Sequence, residues 1–390
     1  MERQNIQWKS IEKDLQTRFI TVEDGAIIEL PEGYYMFTRP LLIDGKKSVT
    51  IRGQGIDKTI LSFQLQSEGA EGIKASNCKN LEFEDFTIED AIGDNIKVTD
   101  TEGITFRRVK SQWTGGPKEE NGAYAFYPVL CKQVLVEESI AIGSSDAGIY
   151  VGQSDSVIIR NNTVNHNVAG IESENSRWVE IYGNETYRNT GGILVFDMPG
   201  LTQSGHTTRV FNNIVRNNNL WNFAPPGNIV GTVPAGTGMM LLATRNIEIF
   251  DNIISNNMTL GIGIASYDLV EALGAEAGSQ LDENIETAKT DLKYDPYPNQ
   301  VNIHDNEFEN SYWFPTMKND FGWLFMMKFP FNTPDIVYDG IPPGDDLFEM
   351  CLTNNGSAKF ANLDAANNFD GLSTDVELYA CSQPIIAPIF

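Results

Sequence analysis

Residues 146–184, DAGIYVGQSDSVIIRNNTVNHNVAGIESENSRWVEIYGN, decide the fold because they state one pattern twice. The pattern consists of a glycine–isoleucine pair, a β-type triplet and an asparagine. Each copy contains all three parts, which are Gly148-Ile149, Val157–Ile159 and Asn162, and then Gly170-Ile171, Val179–Ile181 and Asn184. A period near 22 residues with two short β-type segments predicts a solenoid.

The same columns recur along most of the chain with a common spacing. The triplet column contains the pairs Leu81/Phe83, Ile104/Phe106, Val134/Val136, Val157/Ile159, Val179/Ile181, Ile247/Ile249 and Val301/Ile303. The pair column contains Ile73, Ile96, Phe126, Ile149, Ile171 and Ile193, and both columns step by 23, 30, 23 and 22 residues. A third column contains Asn162, Asn184, Asn213, Asn252 and Asn306, whose amides are expected to bond between coils. The sequence therefore predicts an all-β, right-handed parallel β-helix of about nine coils.

The period also divides the chain into regions. Apolar residues at helical spacing (Ile11, Leu15, Phe19) predict an N-terminal capping helix within residues 1–25. The β-helix is expected over residues 26–310, with insertions at 197–237 and 268–300. The second insertion begins with helix-like sequence, LVEALGAEA and LDENIETAKTDL. An aromatic-rich tail, residues 311–390, is expected to pack on the rod or cap its last coil.

Charge and composition exclude several partners. The chain of 390 residues has 28 basic and 53 acidic side chains, a formal net charge of −25 and a pI near 4.4. Such a surface disfavours nucleic acid and anionic membranes, and the sequence has no run of 18 apolar residues that would insert into a membrane. A periplasmic or extracellular location fits the acidity, but the first residues, MERQNIQWKS, do not form a signal peptide, so export would require one that this sequence does not include.

The four cysteines fall into two groups. Cys78 and Cys131 lie in or beside strand turns and are expected to be small core residues. Cys351 and Cys381 bracket a segment with no regular pattern, and a disulfide between them would stabilise the end of the chain by about 3–4 kcal/mol. Such a bond implies an oxidising compartment.

Two stretches carry a family resemblance. DGAIIELPEGYY (24–35) and VTIRGQGIDKTILSF (49–63) resemble the opening of pectin-lyase-like β-helix proteins, which include polysaccharide lyases, epimerases and hydrolases. The resemblance covers roughly residues 8–310 and rests on scaffold residues. In the tail, YDPYP (294–298), CLTNNG (351–356) and the last cysteine resemble an uncharacterised bacterial family with parallel β-helix repeats, which implies no reaction.

One outward column combines several ionisable side chains. Lys97, Tyr127, Tyr150 and Glu172 each follow a residue of the pair column, so they are expected side by side about 4.8 Å apart. Tyrosine, lysine and carboxylate groups supply the acid, base and charge neutraliser that proton abstraction beside a sugar carboxylate requires. The alternative is an ordinary solvated strip with two aromatic residues.

Glu172 and Glu174 share one side of a strand, which makes them candidate Ca²⁺ ligands. This spacing resembles the calcium pair of some β-helix lyases, in which a basic residue follows closely; here Arg177 is the nearby candidate. Those lyases have a further asparagine ligand one coil earlier, where this chain has Tyr150.

The first insertion opens with a second resemblance. Phe196-Asp197-Met198-Pro199 resembles the Tyr-Gly-Phe-Asp-Pro-His signature of mannuronan C5-epimerases, which implies a catalytic role for Asp197. Met198 interrupts the signature, and the next histidine in the loop is His206, which is a second catalytic candidate. The loop is expected to form one side of a groove beside the strip. Its Trp221 and Phe223 are expected to be exposed and to stack on sugar rings. The candidate substrate-binding residues are Glu172, Arg177, Arg188 and Trp221, and Lys97, Arg177 and Arg188 are expected to form a local basic patch that would favour a polyanion.

These features predict a carbohydrate-active protein that acts on an acidic polysaccharide as a lyase or C5-epimerase. A non-catalytic glycan-binding module is one alternative, since a chain of charge −25 meets a polyanion unfavourably. A glycoside hydrolase acting on a neutral glycan is another, because Asp146, Glu172, Glu174 and Asp197 offer pairs of carboxylates. The sequence leaves the oligomeric state open.

Overall fold

The structure is a computed structural model that describes residues 11–274, 294–312, 314–317, 319–343 and 348–389. Its helices are α1 (Glu12–Thr21), α2 (Tyr267–Gly274) and α3 (Asp320–Lys328). The first half of the strands comprises β1 (Ile27–Glu29), β2 (Gly33–Met36), β3 (Leu41–Asp44), β4 (Thr50–Arg52), β5 (Thr59–Ser62), β6 (Ile73–Ser76), β7 (Lys79–Glu89), β8 (Ile96–Thr99), β9 (Glu102–Gln112), β10 (Tyr124–Val129), β11 (Lys132–Glu137), β12 (Ile140–Ile142), β13 (Ala147–Gly152), β14 (Asp155–Arg160) and β15 (Thr163–Asn165). The second half comprises β16 (Ala169–Glu174), β17 (Arg177–Tyr182), β18 (Glu185–Tyr187), β19 (Gly191–Phe196), β20 (His206–Phe211), β21 (Ile214–Arg216), β22 (Thr237–Leu242), β23 (Arg245–Phe250), β24 (Ile253–Ser255), β25 (Leu260–Ala265), β26 (Asn299–His304), β27 (Glu307–Glu309), β28 (Ile336–Tyr338), β29 (Met350–Thr353) and β30 (Phe360–Asn362).

The strands stack into three parallel ladders, so the chain forms a parallel β-helix. The ladder called here the front ladder runs β3-β6-β8-β10-β13-β16-β19-β22-β25-β28-β30. The other two run β1-β4-β7-β9-β11-β14-β17-β20-β23-β26-β29 and β2-β5-β7-β9-β12-β15-β18-β21-β24-β27. The long strands β7 and β9 belong to both of these, because each passes from one face of the rod to the next.

The rod is longer than the repeat predicts. Among the described residues the front ladder has 11 strands, more than the nine coils expected, and the predicted boundary at residue 310 is wrong as an end of the β-helix. Three strands of the tail (β28, β29 and β30) extend two of the ladders in parallel register. The period misses them because long intervening segments separate them from one another and from β27.

Alternation of side chains builds the core. In β14 the inward residues Val157 and Ile159 are fully buried, whereas the outward residues between and after them are partly exposed. The predicted triplet and pair columns lie in one continuous apolar core that runs the length of the rod. Cys78 and Cys131 are buried free thiols in this core, as predicted.

The predicted asparagine column forms a ladder of buried amides. Each Nδ2 donates to the Oδ1 of the next asparagine, over 2.9–3.0 Å, from Asn162 through Asn184, Asn213, Asn252 and Asn306 to Asn355. A residue in the left-handed region precedes each amide, for example Asn161 at φ 55° and Gly183 at φ 64°. A second ladder at the next corner contains Asn167, Asn189, Asn218 and Asn257, and the sequence analysis missed it.

Helix α1 covers the first coil. Leu15 and Phe19 are fully buried on one side of the helix. On its flank, Gln16 accepts from the Leu42 amide and donates to the Leu42 carbonyl, each over 3.1 Å, which satisfies the backbone of the edge strand β3. The part of the predicted capping segment before residue 11 lies outside the described residues, as does the LDENIETAKTDL stretch of the second insertion.

A disulfide holds the end of the tail. Cys351 in β29 and Cys381 are bonded as predicted, with Cα atoms 5.0 Å apart. Beyond it the chain returns along the rod, where the amides of Ile386 and Ile389 donate to Glu248 and Glu180. None of the helices in the described residues has the length and apolar character needed to cross a membrane.

Candidate functional site

The outward strip of the front ladder has the register that the repeat predicts. Lys97 pairs with Tyr127 between β8 and β10, and Tyr150 pairs with Glu172 between β13 and β16. The column continues to Leu194 and Met240, which the sequence analysis did not use.

The structure contradicts the predicted open groove, because described residues of the two insertions cover half of the strip. Tyr150 is 4% exposed and Glu172 is 1% exposed. Apolar residues of both insertions cover them in a second hydrophobic cluster, which we call the lid; it includes Met198, Phe223, Val230, Val233, Tyr267, Leu269 and Val270. Phe223 is 2% exposed, so the expectation that it would be available for stacking is wrong. The insertion buries its apolar residues against the sheet instead of standing beside it.

At the edge of the lid, three tyrosine rings meet four carboxyl groups and one lysine. We call Tyr124, Tyr127, Tyr150, Asp94, Asp146, Glu172, Glu174 and Lys97 the tyrosine–carboxylate cluster. The ring centroids lie 4.4 Å apart for Tyr124 and Tyr127, 4.6 Å for Tyr124 and Tyr150, and 5.0 Å for Tyr127 and Tyr150. Such contacts fix the rings in place.

The inner carboxyl groups are only partly hydrogen-bonded. The Tyr150 hydroxyl donates to Glu174 Oε1 over 2.7 Å. Asp146 Oδ2 accepts from the Tyr124 hydroxyl over 3.2 Å and from Asn228 Nδ2 of the lid over 3.4 Å. Asp146 Oδ1 and Glu172 Oε2 are buried and have no hydrogen-bond partner among the described residues. Buried unpartnered carboxyl oxygens are costly when charged, which favours the protonated acids.

Burial accordingly raises the pKa of each inner acid. For Asp146, burial followed by the charge of Glu174 raises the pKa to about 7. The pKa of Glu172 lies well above its usual value because of burial and the neighbouring charges of Asp146 and Glu174. Burial also raises the pKa of Glu174, although the Tyr150 hydroxyl opposes this shift. The cluster therefore holds protons near neutral pH.

The open end of the cluster lies at Lys97. Its ammonium is 3.6 Å from Asp94 Oδ2 and 4.6 Å from the Tyr127 ring centroid. Burial raises the pKa of Asp94 to about 6, although Lys97 opposes the shift, and burial raises the pKa of Tyr127 to about 12. A phenol, a carboxyl group and an ammonium thus meet where the lid ends.

The sequence analysis missed Asp94 and Tyr124, although a signal was present. Both lie three residues before a member of the outward strip, Lys97 and Tyr127 respectively. Glu71 has the same offset from Lys74, with which it forms an ion pair at 3.4 Å. A column of the residues three positions before each member of the outward strip contains Glu71, Asp94 and Tyr124, so it would have identified all three.

The predicted Ca²⁺ pair does not fit a cation. Among the described residues, Glu172 Oε2 has no hydrogen-bond partner, and Glu174 Oε1 accepts a hydrogen bond from the Tyr150 hydroxyl. Within the part of the chain that the structure describes, no group of three or more His, Cys, Asp or Glu side chains could hold a metal ion. Burial beneath the apolar lid raises the pKa of both acids, so they are poor sources of the charged oxygen ligands that Ca²⁺ requires.

Asp197 and His206 lie at the root of the first insertion. Asp197 is buried, and its Oδ1 accepts from the Gly205 amide over 2.8 Å, so it closes the loop that begins after it. Burial raises the pKa of Asp197 to about 7, opposed mainly by its bond to Gly205, and burial lowers the pKa of His206. Both line a small cavity of about 10 Å³, which is close to the smallest space that holds one water molecule. This burial contradicts the expected position of Asp197 on an open groove.

The predicted substrate-binding residues are dispersed. Arg177 Nε donates to the Ser204 carbonyl over 2.9 Å, which holds the loop against the rod. Arg188 is exposed in a corner turn at φ 56°. Trp221 is 48% exposed and lines a different cleft, between the first insertion and α3.

The three ladders and the inward amides define the class of protein as a parallel β-helix. The family model described as right handed beta helix region matches residues 41–205 and 130–277, which together span more than half of the chain. The chain belongs to this family. No curated protein sequence matches it significantly.

Solved structures share the fold at low sequence identity. The A-module of Azotobacter vinelandii mannuronan C-5 epimerase AlgE4 superposes with a TM-score of 0.56 and 13% identity, over 88% of this chain and 89% of that chain. The A-module of the A. vinelandii epimerase AlgE6 gives 0.49 and 12% identity, over 89% and 90%. The periplasmic alginate epimerase AlgG gives 0.48 and 14% identity, over 79% of each chain. These similarities extend to the fold alone.

Proposed function

We propose that this chain is a carbohydrate-active protein that acts on an acidic polysaccharide by proton transfer, as a lyase or a C5-epimerase. The observation that carries the proposal is the open end of the tyrosine–carboxylate cluster. There, the Lys97 ammonium contacts both Asp94 and the Tyr127 ring, beside the packed rings of Tyr124 and Tyr150. The AlgE4 module, a mannuronan epimerase by name, has the same fold, which supports the substrate class only by analogy.

The pKa values of Asp94 and Tyr127 and the charge of Lys97 give each of the three groups a role. Asp94, with a pKa of about 6, is ionised at neutral pH and takes the proton from C5 of a uronate. Lys97 neutralises the negative charge that then develops on the sugar carboxylate. Tyr127, with a pKa of about 12, is a protonated phenol and donates its proton. Donation to the leaving glycosidic oxygen cleaves the chain, whereas epimerisation requires the phenol to reach C5 from the face opposite to Asp94. Asp94 then returns its proton to the phenolate.

The raised pKa values of the inner acids weaken the electrostatic repulsion between the cluster and a polyanion. Because the pKa of Asp146 is about 7 and that of Glu172 is higher than usual, the cluster carries less negative charge near neutral pH than its carboxyl groups would indicate. Lys74 and Lys97, neighbours along the strip, add positive charge at the open end.

Incubation with alginate and pectate tests the proposal. New unsaturated uronate absorbance indicates a lyase, and altered proton spectra without cleavage indicate an epimerase; new reducing ends without unsaturation indicate a hydrolase and contradict the proposal. Asp94→Asn, Lys97→Gln and Tyr127→Phe are each expected to lower turnover by about 10²-fold or more. Lys132→Gln, an exposed lysine on another ladder, is the matched control.

Activity should also rise as pH increases through about 6, because Asp94 must lose its proton to act as the base. No change in any polyuronate with wild-type protein, or full turnover by the Lys97 and Tyr127 variants, would overturn the assignment.

A non-catalytic glycan-binding module is the second candidate. The lid favours it, since Tyr150 and Glu172 of the strip are covered. In this case the wild-type protein retains alginate without changing its length or its proton spectrum, and Lys97→Gln weakens retention.

We also propose a periplasmic or extracellular location. The disulfide Cys351–Cys381 supports it, because such bonds persist in oxidising compartments. Thiol trapping in fractionated cells tests this: protection of both cysteines in an exported fraction is expected, and fully reduced cysteines in the cytoplasmic fraction contradict it.

A further inference from the structure

The first insertion and α3 enclose a cleft that the tyrosine–carboxylate cluster does not use. Its volume is about 590 Å³, which is within the range of ligand sites. Trp221, Asn222 and Thr232 line it from the insertion, and Asn319, Asp320 and Phe321 line it from the start of α3.

Side-chain hydrogen bonds hold both walls in place. Asn222 Nδ2 donates to the carbonyls of Val230 and Val233 over 2.9 and 3.0 Å, which braces the insertion across its own turn. Asn319 caps α3 by accepting from the Gly322 amide over 2.8 Å, and its Nδ2 donates to the Ala235 carbonyl over 3.1 Å. The helix is thereby tied to the insertion, so the cleft is formed before any ligand binds.

Trp221 offers a flat apolar face in this cleft. It is 48% exposed, and its ring lies 5.3 Å from the ring of the buried Phe223, which supports it from behind. An exposed, supported indole is a surface on which the C–H face of a pyranose ring can stack.

The charge of the lining residues determines whether the cleft favours a charged or an uncharged sugar. Among the described residues that line the cleft, none is a lysine, arginine or histidine, and one is an aspartate, Asp320. A uronate would meet the Asp320 carboxylate with no cation among the described lining residues to offset it, in a protein of charge −25. Hydroxyl groups of an uncharged sugar can donate to Asp320 and bond to the amide and hydroxyl groups of the lining.

We infer that this cleft is a second carbohydrate-binding site, separate from the proposed catalytic end, and that it takes a neutral glycan. The site also contacts the lid: Asn228 lines the cleft, and its Nδ2 donates to Asp146 beneath it. A glycan bound here therefore holds the first insertion closed over the strip.

Native affinity electrophoresis tests the inference, with xylan, mixed-linkage β-glucan and galactomannan as neutral probes and alginate as the anionic probe. At least one neutral glycan is expected to retard the wild-type protein, and Trp221→Ala is expected to weaken that retardation about tenfold or more. Trp323→Ala is the matched control, because Trp323 is 53% exposed on α3 but does not line the cleft. Melting temperatures of both variants establish that they fold.

A second readout reports on the lid. The neutral glycan that binds should slow proteolysis within residues 198–235 of the wild-type protein and not of Trp221→Ala. Retardation by alginate alone, by none of the neutral probes, or equally for wild type and Trp221→Ala overturns the inference. The catalytic proposal is independent of these results, since its variants lie at Lys97 and Tyr127.

Discussion

A single asparagine satisfies four buried backbone and side-chain groups in this rod. Asn184 Oδ1 accepts from the amide nitrogen and from Nδ2 of Asn162, over 3.0 and 2.9 Å. Its Nδ2 donates to the Ile159 carbonyl and to Asn213 Oδ1, over 2.8 and 3.0 Å. No other side chain of this length both donates and accepts in this way, which explains why the column contains asparagine.

Asn184→Ala is therefore expected to destabilise the protein by roughly 3 kcal/mol or more, because several buried groups lose their partners at once. Urea unfolding measures the free energy, with Lys132→Ala on the exposed surface as the control. If the free energy of unfolding falls by less than about 1 kcal/mol, water replaces the amide without cost, and the asparagine ladder does not stabilise the rod as described.

The buried acids make stability dependent on pH. In the folded state the pKa of Asp146 is about 7, above the value near 3.9 of an unfolded chain, so the folded state binds more protons. The contribution to stability is fully present below about pH 4 and is lost as pH rises to about 7.

Asp146→Asn removes this titration, so its melting temperature should fall less than that of the wild type between these two pH values. Asp100→Asn, an exposed turn substitution, serves as the control and should retain the wild-type profile. If the melting temperatures of Asp146→Asn and the wild type change equally with pH, the raised pKa assigned to Asp146 would be contradicted.

At the scale of elements, the first insertion acts as part of the lid. Phe223 lies in the same buried hydrophobic cluster as Tyr150 and Leu194, and the Asp197–Gly205 bond closes the first turn of the insertion. Within the first insertion, β20 and β21 join the ladders, whereas few backbone groups outside these two strands do, so the attachment of the remaining segments depends on the apolar contacts.

Phe223→Ala should therefore open the lid locally while the ladders persist. Cleavage by a protease within residues 198–235 and hydrogen exchange of β13 are expected to accelerate. The reason is that the lid over Tyr150 loses a buried aromatic side chain. Trp221→Ala, which removes an exposed ring from the same insertion, should leave both rates unchanged without glycan. Equal rates for Phe223→Ala and the wild type would show that the lid does not depend on this contact.

The sequence predicted the periodic part of the molecule and missed what depends on distant packing. The register of Tyr150 with Glu172 follows from a 22-residue offset, and so does the first step of the asparagine ladder, from Asn162 to Asn184. The covering of Tyr150 follows from Phe223 and Val230, which lie in a segment without a period, so their direction could not be read from spacing. Strands β28 to β30 were missed for the same reason, since the segments between them vary in length.

At the scale of the whole molecule, the disulfide fixes the end of the tail against the last coils. It joins β29 to the segment that returns to Glu248 and Glu180, both of which pair with Arg209. The tail thereby follows the outside of the rod back towards its middle.

Replacing both cysteines by serine is expected to lower the free energy of unfolding by about 3–4 kcal/mol, because the unfolded chain regains the freedom of the closed loop. Thermal unfolding with and without reductant measures the effect, and reductant should lower the melting temperature of the wild type only. A melting temperature of the double variant equal to that of the oxidised wild type would contradict the expectation.

The first asparagine ladder has a consequence for how such a molecule can diversify. Its successive members are 22, 29, 39, 54 and 49 residues apart in sequence, yet the bonds between them all measure 2.9–3.0 Å. Doubling the length of a flexible loop costs only about 0.6 kcal/mol. Evolution can therefore graft or exchange segments at the corners while the scaffold beneath stays unaltered, so new specificities can be acquired without redesign of the interior.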